Sequence, residues 1–174
     1  MDYGKRILEN RSKNTCLEIA AYVGEDEGRF KELVDAFFKA KGKEQDWLMW
    51  VVNHTVERNP RLISLHLDKF VHMLDASQSD AVNRGIVRML RDVPVIPEEL
   101  AGEVYTKCFD LMNDVKQAIA VRVFSIRALV RIARNLPELK QELIPILQDI
   151  YTYSEKGLFV SARDALRDLG EKDY

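Results

Sequence analysis

Three arginines, Arg84, Arg88 and Arg91, stand at i, i+4 and i+7, a spacing that puts all three on one face of an α-helix. Arg127, Arg131 and Arg134 repeat the pattern 43 positions later. A guanidinium group is a planar, permanently charged fork, so a row of them suits the bidentate grip of carboxylates or phosphates. If the two helices share an inner wall, six arginines line one groove of a chain whose formal net charge is −2. Trp50, His54 and Glu57 keep the same spacing 34 positions before Arg84, and Trp47 lies a turn earlier. Large aromatics next to arginines are common anchors of protein interfaces. A second reading is structural: the arginines pair with Glu57, Asp92 or Asp114 and staple neighbouring helices, while the tryptophans fill the core.

Other chemistries lack their residues. His66 and His72 are six apart, which on one helix turns them to different sides, whereas a two-histidine metal pair needs i, i+4. Cys16 and Cys108 are too distant for a zinc spacing, and both sit in apolar helical patterns as small core residues. No metal ligand and no cofactor is therefore assigned. There is no nucleophile elbow, no Gly-rich phosphate loop and no two-histidine helix motif, so no catalytic residue is assigned and the chain reads as a non-enzyme. The acidic runs Glu25, Asp26, Glu27 and Glu98, Glu99 fall where helices begin and complement the helix dipole.

These residues need elements to carry them, and the pattern supplies only helices. Leu33 and Phe37, then Leu48, Val52 and Val56, recur at helical spacing. So do Ile63, Leu67, Phe70 and Leu74, then Leu100, Val104, Cys108 and Leu111. Ile119, Val123, Ile126 and Val130 follow, then Leu139, Leu143, Ile146 and Ile150. No strict alternation competes, so the expected class is all-α. Asn14 with Thr15, and Ser79 with Asp80, offer oxygens for helix caps, and Pro60, Pro97 and Pro137 suit first turns. Every second helix is expected to end before Gly24, Pro60, Pro94, Pro137 and Gly170, at intervals of 36, 34, 43 and 33 residues. A period of this size filled by a helical hairpin marks an α-solenoid. The repeat is also visible in residues: RGIVRMLRDVP at 84–94 overlays RALVRIARNLP at 127–137 with five identities. Tyr151, Tyr153 and Phe159 flank a turn at Ser154, Glu155, Lys156 and Gly157 and are expected to seal the end of the stack.

On these residues the chain resembles the HEAT-repeat and armadillo-type superfamily. Glu142-Leu-Ile-Pro145-Ile-Leu-Gln-Asp149 is similar to the first helix of a HEAT repeat, which a proline kinks. Asp80-Ala-Val82 and Val121-Arg122 resemble the Asp and Val-Arg elements that open the second helix, although Asn83 replaces the arginine after Val82 and Leu158-Phe159 stands where Val-Arg would fall. The resemblance implies a right-handed superhelix of about five stacked hairpins in a single domain over residues 1–174. It also implies that such an arginine hydrogen-bonds turn carbonyls or pairs with the turn aspartate, tying adjacent units together.

The expected function is a non-catalytic scaffold that binds an acidic segment of a protein partner on a concave surface. Its expected residues are Trp50, His54, Arg84, Arg88, Arg91, Arg127, Arg131 and Arg134. The alternative is a nucleic-acid-binding module, because HEAT-like DNA glycosylases resemble the expected fold; their catalytic residues have no match in this chain. The negative net charge disfavours that alternative, since such binding rests on neutralising phosphates. No run reaches the ~20 apolar residues of a membrane span. The charged start, Met1-Asp2-Tyr3-Gly4-Lys5-Arg6, lacks an apolar signal region, so the expected compartment is the cytoplasm.

Overall fold

The structure is a computed structural model and describes every residue except Ala76, Asn135 and Glu155. Asn135 of the overlaid 127–137 segment and Glu155 of the 154–157 turn thus lie outside the described residues. Among the described residues the chain is all-α. The helices are α1 (Tyr3–Glu9), α2 (Lys13–Val23), α3 (Glu27–Lys39), α4 (Gly42–Arg58) and a 3-10 helix (Pro60–Leu65). They continue with α5 (Leu67–Met73), α6 (Asp80–Asp92), α7 (Glu98–Asn113), α8 (Ile119–Ala133), α9 (Pro137–Tyr153) and α10 (Lys156–Asp168). The order makes five hairpins, with the 3-10 helix and α5 together serving as the first arm of the third.

Breakers act where the sequence puts them. The helices α2, α4, α6, α8 and α10 end just ahead of Gly24, Pro60, Pro94, Pro137 and Gly170. Gly24 takes a φ of 56°, a left-handed conformation that a Cβ would strain, and its N–H closes α2 on the Ala20 carbonyl. Pro137 opens α9, Pro60 opens the 3-10 helix, and Pro97 directly precedes α7. Ser79 caps α6, accepting the Val82 N–H at 3.2 Å. The cap of α2 differs from the expected pair: Ser12 accepts the Thr15 N–H at 3.2 Å, and Asn14 is already inside the helix. Ser12 has the extended backbone that a capping residue requires, and the helix begins one residue later. Asp26 caps α3 by accepting the Arg29 N–H at 2.9 Å, as the acidic run suggests.

The described residues fall into two compact units, Met1–Ile96 and Pro97–Tyr174. In the first unit α4 is the central helix, packed by α1, α2, α3, the 3-10 helix and α6. Gly85 lets α6 come close to it, because a Cβ there would run into the Met49 side chain and stand 2.7 Å from Asn53 Nδ2. The stripe Ile63, Leu67, Phe70 and Leu74 is buried as expected, yet it does not ride on one helix. The backbone breaks at His66, between the 3-10 helix and α5, and the aromatic rings of Phe37 and Phe70 stack at 5.3 Å to hold the pieces against α3.

In the second unit α8 packs against α7, α9 and α10, and Pro145 lies within α9. Cys108 is fully buried here, as Cys16 is in the first unit. Tyr151 stacks on Phe159 at 4.6 Å, and Tyr174 meets Tyr151 edge-on at 5.1 Å. Tyr153 takes no part in that seal: it is 84% exposed, because its position on α9 turns it outward.

Candidate functional site

Three second helices, α4, α6 and α8, bury the same positions. Leu48, Met49, Val51, Val52, Asn53, Thr55 and Val56 of α4 are buried. Shifting by 34 gives the seven buried residues of α6, Val82, Asn83, Gly85, Ile86, Val87, Met89 and Leu90. A further shift of 43 leads to Ser125, Ile126, Ala128, Leu129, Val130, Ile132 and Ala133 of α8, all buried. Burial therefore selects the arginine overlay as the true register. The Val121-Arg122 element sits on an extra first turn of α8, which explains why it stands out of step with Val82.

That register leaves three outward positions per helix. They are Trp50, His54 and Glu57 on α4, Arg84, Arg88 and Arg91 on α6, and Arg127, Arg131 and Arg134 on α8. On α2 the same positions hold Asn14, Glu18 and Ala21, and on α10 they hold Val160, Asp164 and Arg167. The α4 and α6 rows lie together in the first unit, and the α8 and α10 rows belong to the second.

In the first unit the two rows are joined by charge. Arg88 Nη2 lies 2.8 Å from Glu57 Oε1, and His54 Nδ1 approaches Glu57 Oε2 at 3.5 Å. Trp50 meets His54 edge-on at 6.3 Å and Trp47 at 5.7 Å, and Trp50 remains 38% exposed. Burial lowers the His54 pKa below the ordinary histidine value, with Glu57 pulling the other way and Arg88 reinforcing the drop. Arg91 grips Asp92 with two N–H groups at 2.7 and 2.8 Å, which raises its pKa. Arg84 has no ion pair among the described residues.

In the second unit Arg134 reaches Asp168 of α10 at 2.8 Å, a partner that the sequence did not suggest. Arg127 is exposed, with its guanidinium carbon 5.7 Å from the Phe124 ring centroid and no ion pair among the described residues. Arg131 is half-buried. The stripes are therefore mixed: Arg88 and Arg134 pair with carboxylates on adjacent second helices, Arg91 is held within its own helix, and Arg84 and Arg127 have no ion pair among the described residues.

A set of buried and part-buried latches positions these helices. Arg122 Nε donates to the Met112 carbonyl at 2.7 Å, the carbonyl bond being one of the two contacts that the family resemblance implies. Asn83, one turn further along its own helix in this register, makes a similar latch with a shorter arm, donating from Nδ2 to the Asp75 carbonyl at 2.8 Å. Gln45 Nε2 points to the Phe37 carbonyl at 3.4 Å, from the register position that Arg122 occupies in α8. Each latch returns from a second helix to the end of the first, so a hairpin cannot splay without exposing an unmet carbonyl.

Away from these rows, a half-open cavity of about 580 Å³ lies where α3 meets the 3-10 helix, lined by Phe30, Lys31, Arg61, Leu62, Leu65 and His66 among others. No group of three or more His, Cys, Asp or Glu residues that could hold a metal is found among the described residues. Among these residues, no helix is long and apolar enough to cross a membrane.

A family model described as a HEAT repeat domain matches residues 3–167. No curated protein and no solved structure gives a significant match. Repeats of this kind generally mediate protein interactions. Hairpin after hairpin, with a burial register shared by α4, α6 and α8, latched turns and a proline within α9, agrees with that match, and the chain belongs to the HEAT repeat family.

Proposed function

We propose that this chain is a non-catalytic scaffold that binds an acidic segment of a protein partner through the outward arginines of its second helices. The observation that carries the reading is the open charge of Arg84 and Arg127. They occupy the same register position in two helices, and neither is neutralised by a carboxylate among the described residues. A guanidinium held on a packed helix is preorganised for a partner's carboxylate, so less freedom is lost on binding. The other proposed contacts are Trp50, His54, Arg88, Arg91, Arg131 and Arg134.

The test uses a fluorescein-labelled glutamate-rich peptide and a labelled DNA duplex, titrated with the intact chain at several salt concentrations. Arg84→Gln and Arg127→Gln should each weaken peptide binding severalfold. The melting temperature should move by no more than about 2 °C, as expected of solvent-facing substitutions. Unchanged binding with a large drop in melting temperature would make the arginines structural. Preference for the duplex, with log K falling by about 0.9 per phosphate contact per log unit of salt, would replace the acidic segment by nucleic acid.

A further inference from the structure

The first unit offers more than charge. Trp50 and Arg84 hold the same register position on α4 and α6, and these helices pack directly against each other. Gly85, the residue after Arg84, keeps their approach close by leaving room for Met49 and Asn53. Packed helix axes lie about 8–10 Å apart, so the partly exposed Trp50 indole and the half-buried Arg84 guanidinium, which has no ion pair among the described residues, are carried on backbones about that far apart.

Resting on the acidic-segment reading above, we propose that the partner segment crosses α4 and α6 as a polyproline-type extended chain. An apolar side chain rests on Trp50, and a carboxylate three residues away reaches Arg84. The spacing follows from chain geometry. A polyproline helix rises about 3.1 Å per residue with three residues per turn, so side chains at i and i+3 share a face about 9 Å apart. A β-strand does not fit as well, because i and i+2 fall about 7 Å apart and i+3 turns to the opposite face. The neighbouring groups favour the same occupant. Trp47 and Trp50 give an aromatic wall at 5.7 Å, the kind of surface that binds extended proline-rich chains. Glu57 already neutralises Arg88, so the carboxylate is directed to Arg84 and not spread along the row.

Trp47 and Trp50 are the only tryptophans in the chain, so intrinsic fluorescence reports this site and no other. The experiment titrates the intact chain with short acetylated acidic peptides that contain one leucine and one central glutamate separated by one, two or four prolines, in both orders. Two intervening prolines, the i, i+3 spacing, should bind about fivefold tighter than either alternative and change the tryptophan emission most, the gain expected of one seated aliphatic side chain. Trp50→Ala should erase the preference in fluorescence-anisotropy titrations of labelled peptides, with helical circular dichroism retained because Trp50 is partly exposed. Equal affinity for all spacings in the native chain, with binding still lost on Arg84→Gln, overturns the two-point contact and leaves the acidic-segment reading standing. Failure of every acidic peptide to bind overturns both.

Discussion

Arg88 of α6 and Glu57 of α4 share a 2.8 Å ion pair across adjacent second helices, and His54 sits 3.5 Å from the other oxygen of the same carboxylate. Both charged partners keep access to solvent, so the pair contributes little to stability; a double-mutant cycle should return less than about 1 kcal/mol. Its larger effect is on charge. Glu57→Gln should free Arg88 and tighten an acidic probe by about two- to fivefold at low salt, an advantage that fades as salt screens it. Weaker binding in that variant would mean that Glu57 itself meets the ligand.

Gly85 sets up a second prediction. Glycine inside a helix ordinarily costs about 1 kcal/mol relative to alanine, so Gly85→Ala should help by propensity alone. Here the added methyl meets Met49 and Asn53 in a filled interface, and overpacking of that kind costs about 1–3 kcal/mol. Urea denaturation should show net destabilisation. The register-equivalent position on α8 is Ala128, buried without strain, so Ala128→Gly is also expected to destabilise.

The latch of the fourth hairpin can be tested alone. Arg122→Ala removes the donor to the Met112 carbonyl and should lower stability by about 1.5 kcal/mol or more, as for hydrogen bonds from charged groups. Arg122→Gln should retain part of that loss, since Gln45 serves the same position in α4 with a neutral amide. Both are read from the midpoint of urea unfolding.

Acid should weaken the fold through His54. His54 has its pKa lowered, chiefly by burial, with Arg88 and Lys13 adding to the drop and Glu57 opposing it. The unfolded chain therefore takes up a proton at this residue first as the pH falls below about 6.5, the ordinary histidine value. Stability from a neutral His54 is complete above that pH and is lost below it, towards the lower folded value. His54→Asn should show a smaller fall in melting temperature between about pH 7.5 and 5.5 than the parent chain.

The thiols make the core accessible to chemical test. Burial pushes Cys16 up to about 11 and Cys108 up to about 12, so neither is a thiolate at neutral pH. Ellman's reagent should label neither in the folded chain and both in urea. Rapid native labelling of one thiol would identify a unit that opens locally.

Much of this architecture is readable from periodicity, because each second helix must bury one apolar face and the pattern leaves few other ways to do it. The terminators and the arginine overlay are legible for that reason. Where several residues compete locally, the sequence is ambiguous: Ser12, Asn14 and Thr15 all have capping oxygens, and only backbone geometry selects Ser12. The break at His66 is hidden because Ile63 and Leu67 stay four apart whether the turn between them is α or 3-10. The partners of the arginines are hidden too. A long side chain chooses among carboxylates that only packing brings near, as Arg134 does with Asp168.

The burial register shared by α4, α6 and α8 divides the labour of each of these helices. Seven inward seats hold the fold, and three outward seats take an indole, an imidazole, a carboxylate or a guanidinium without disturbing it. The outward residue types can thus change one by one along these helices while the buried seats stay filled, so one framework can carry many different surfaces.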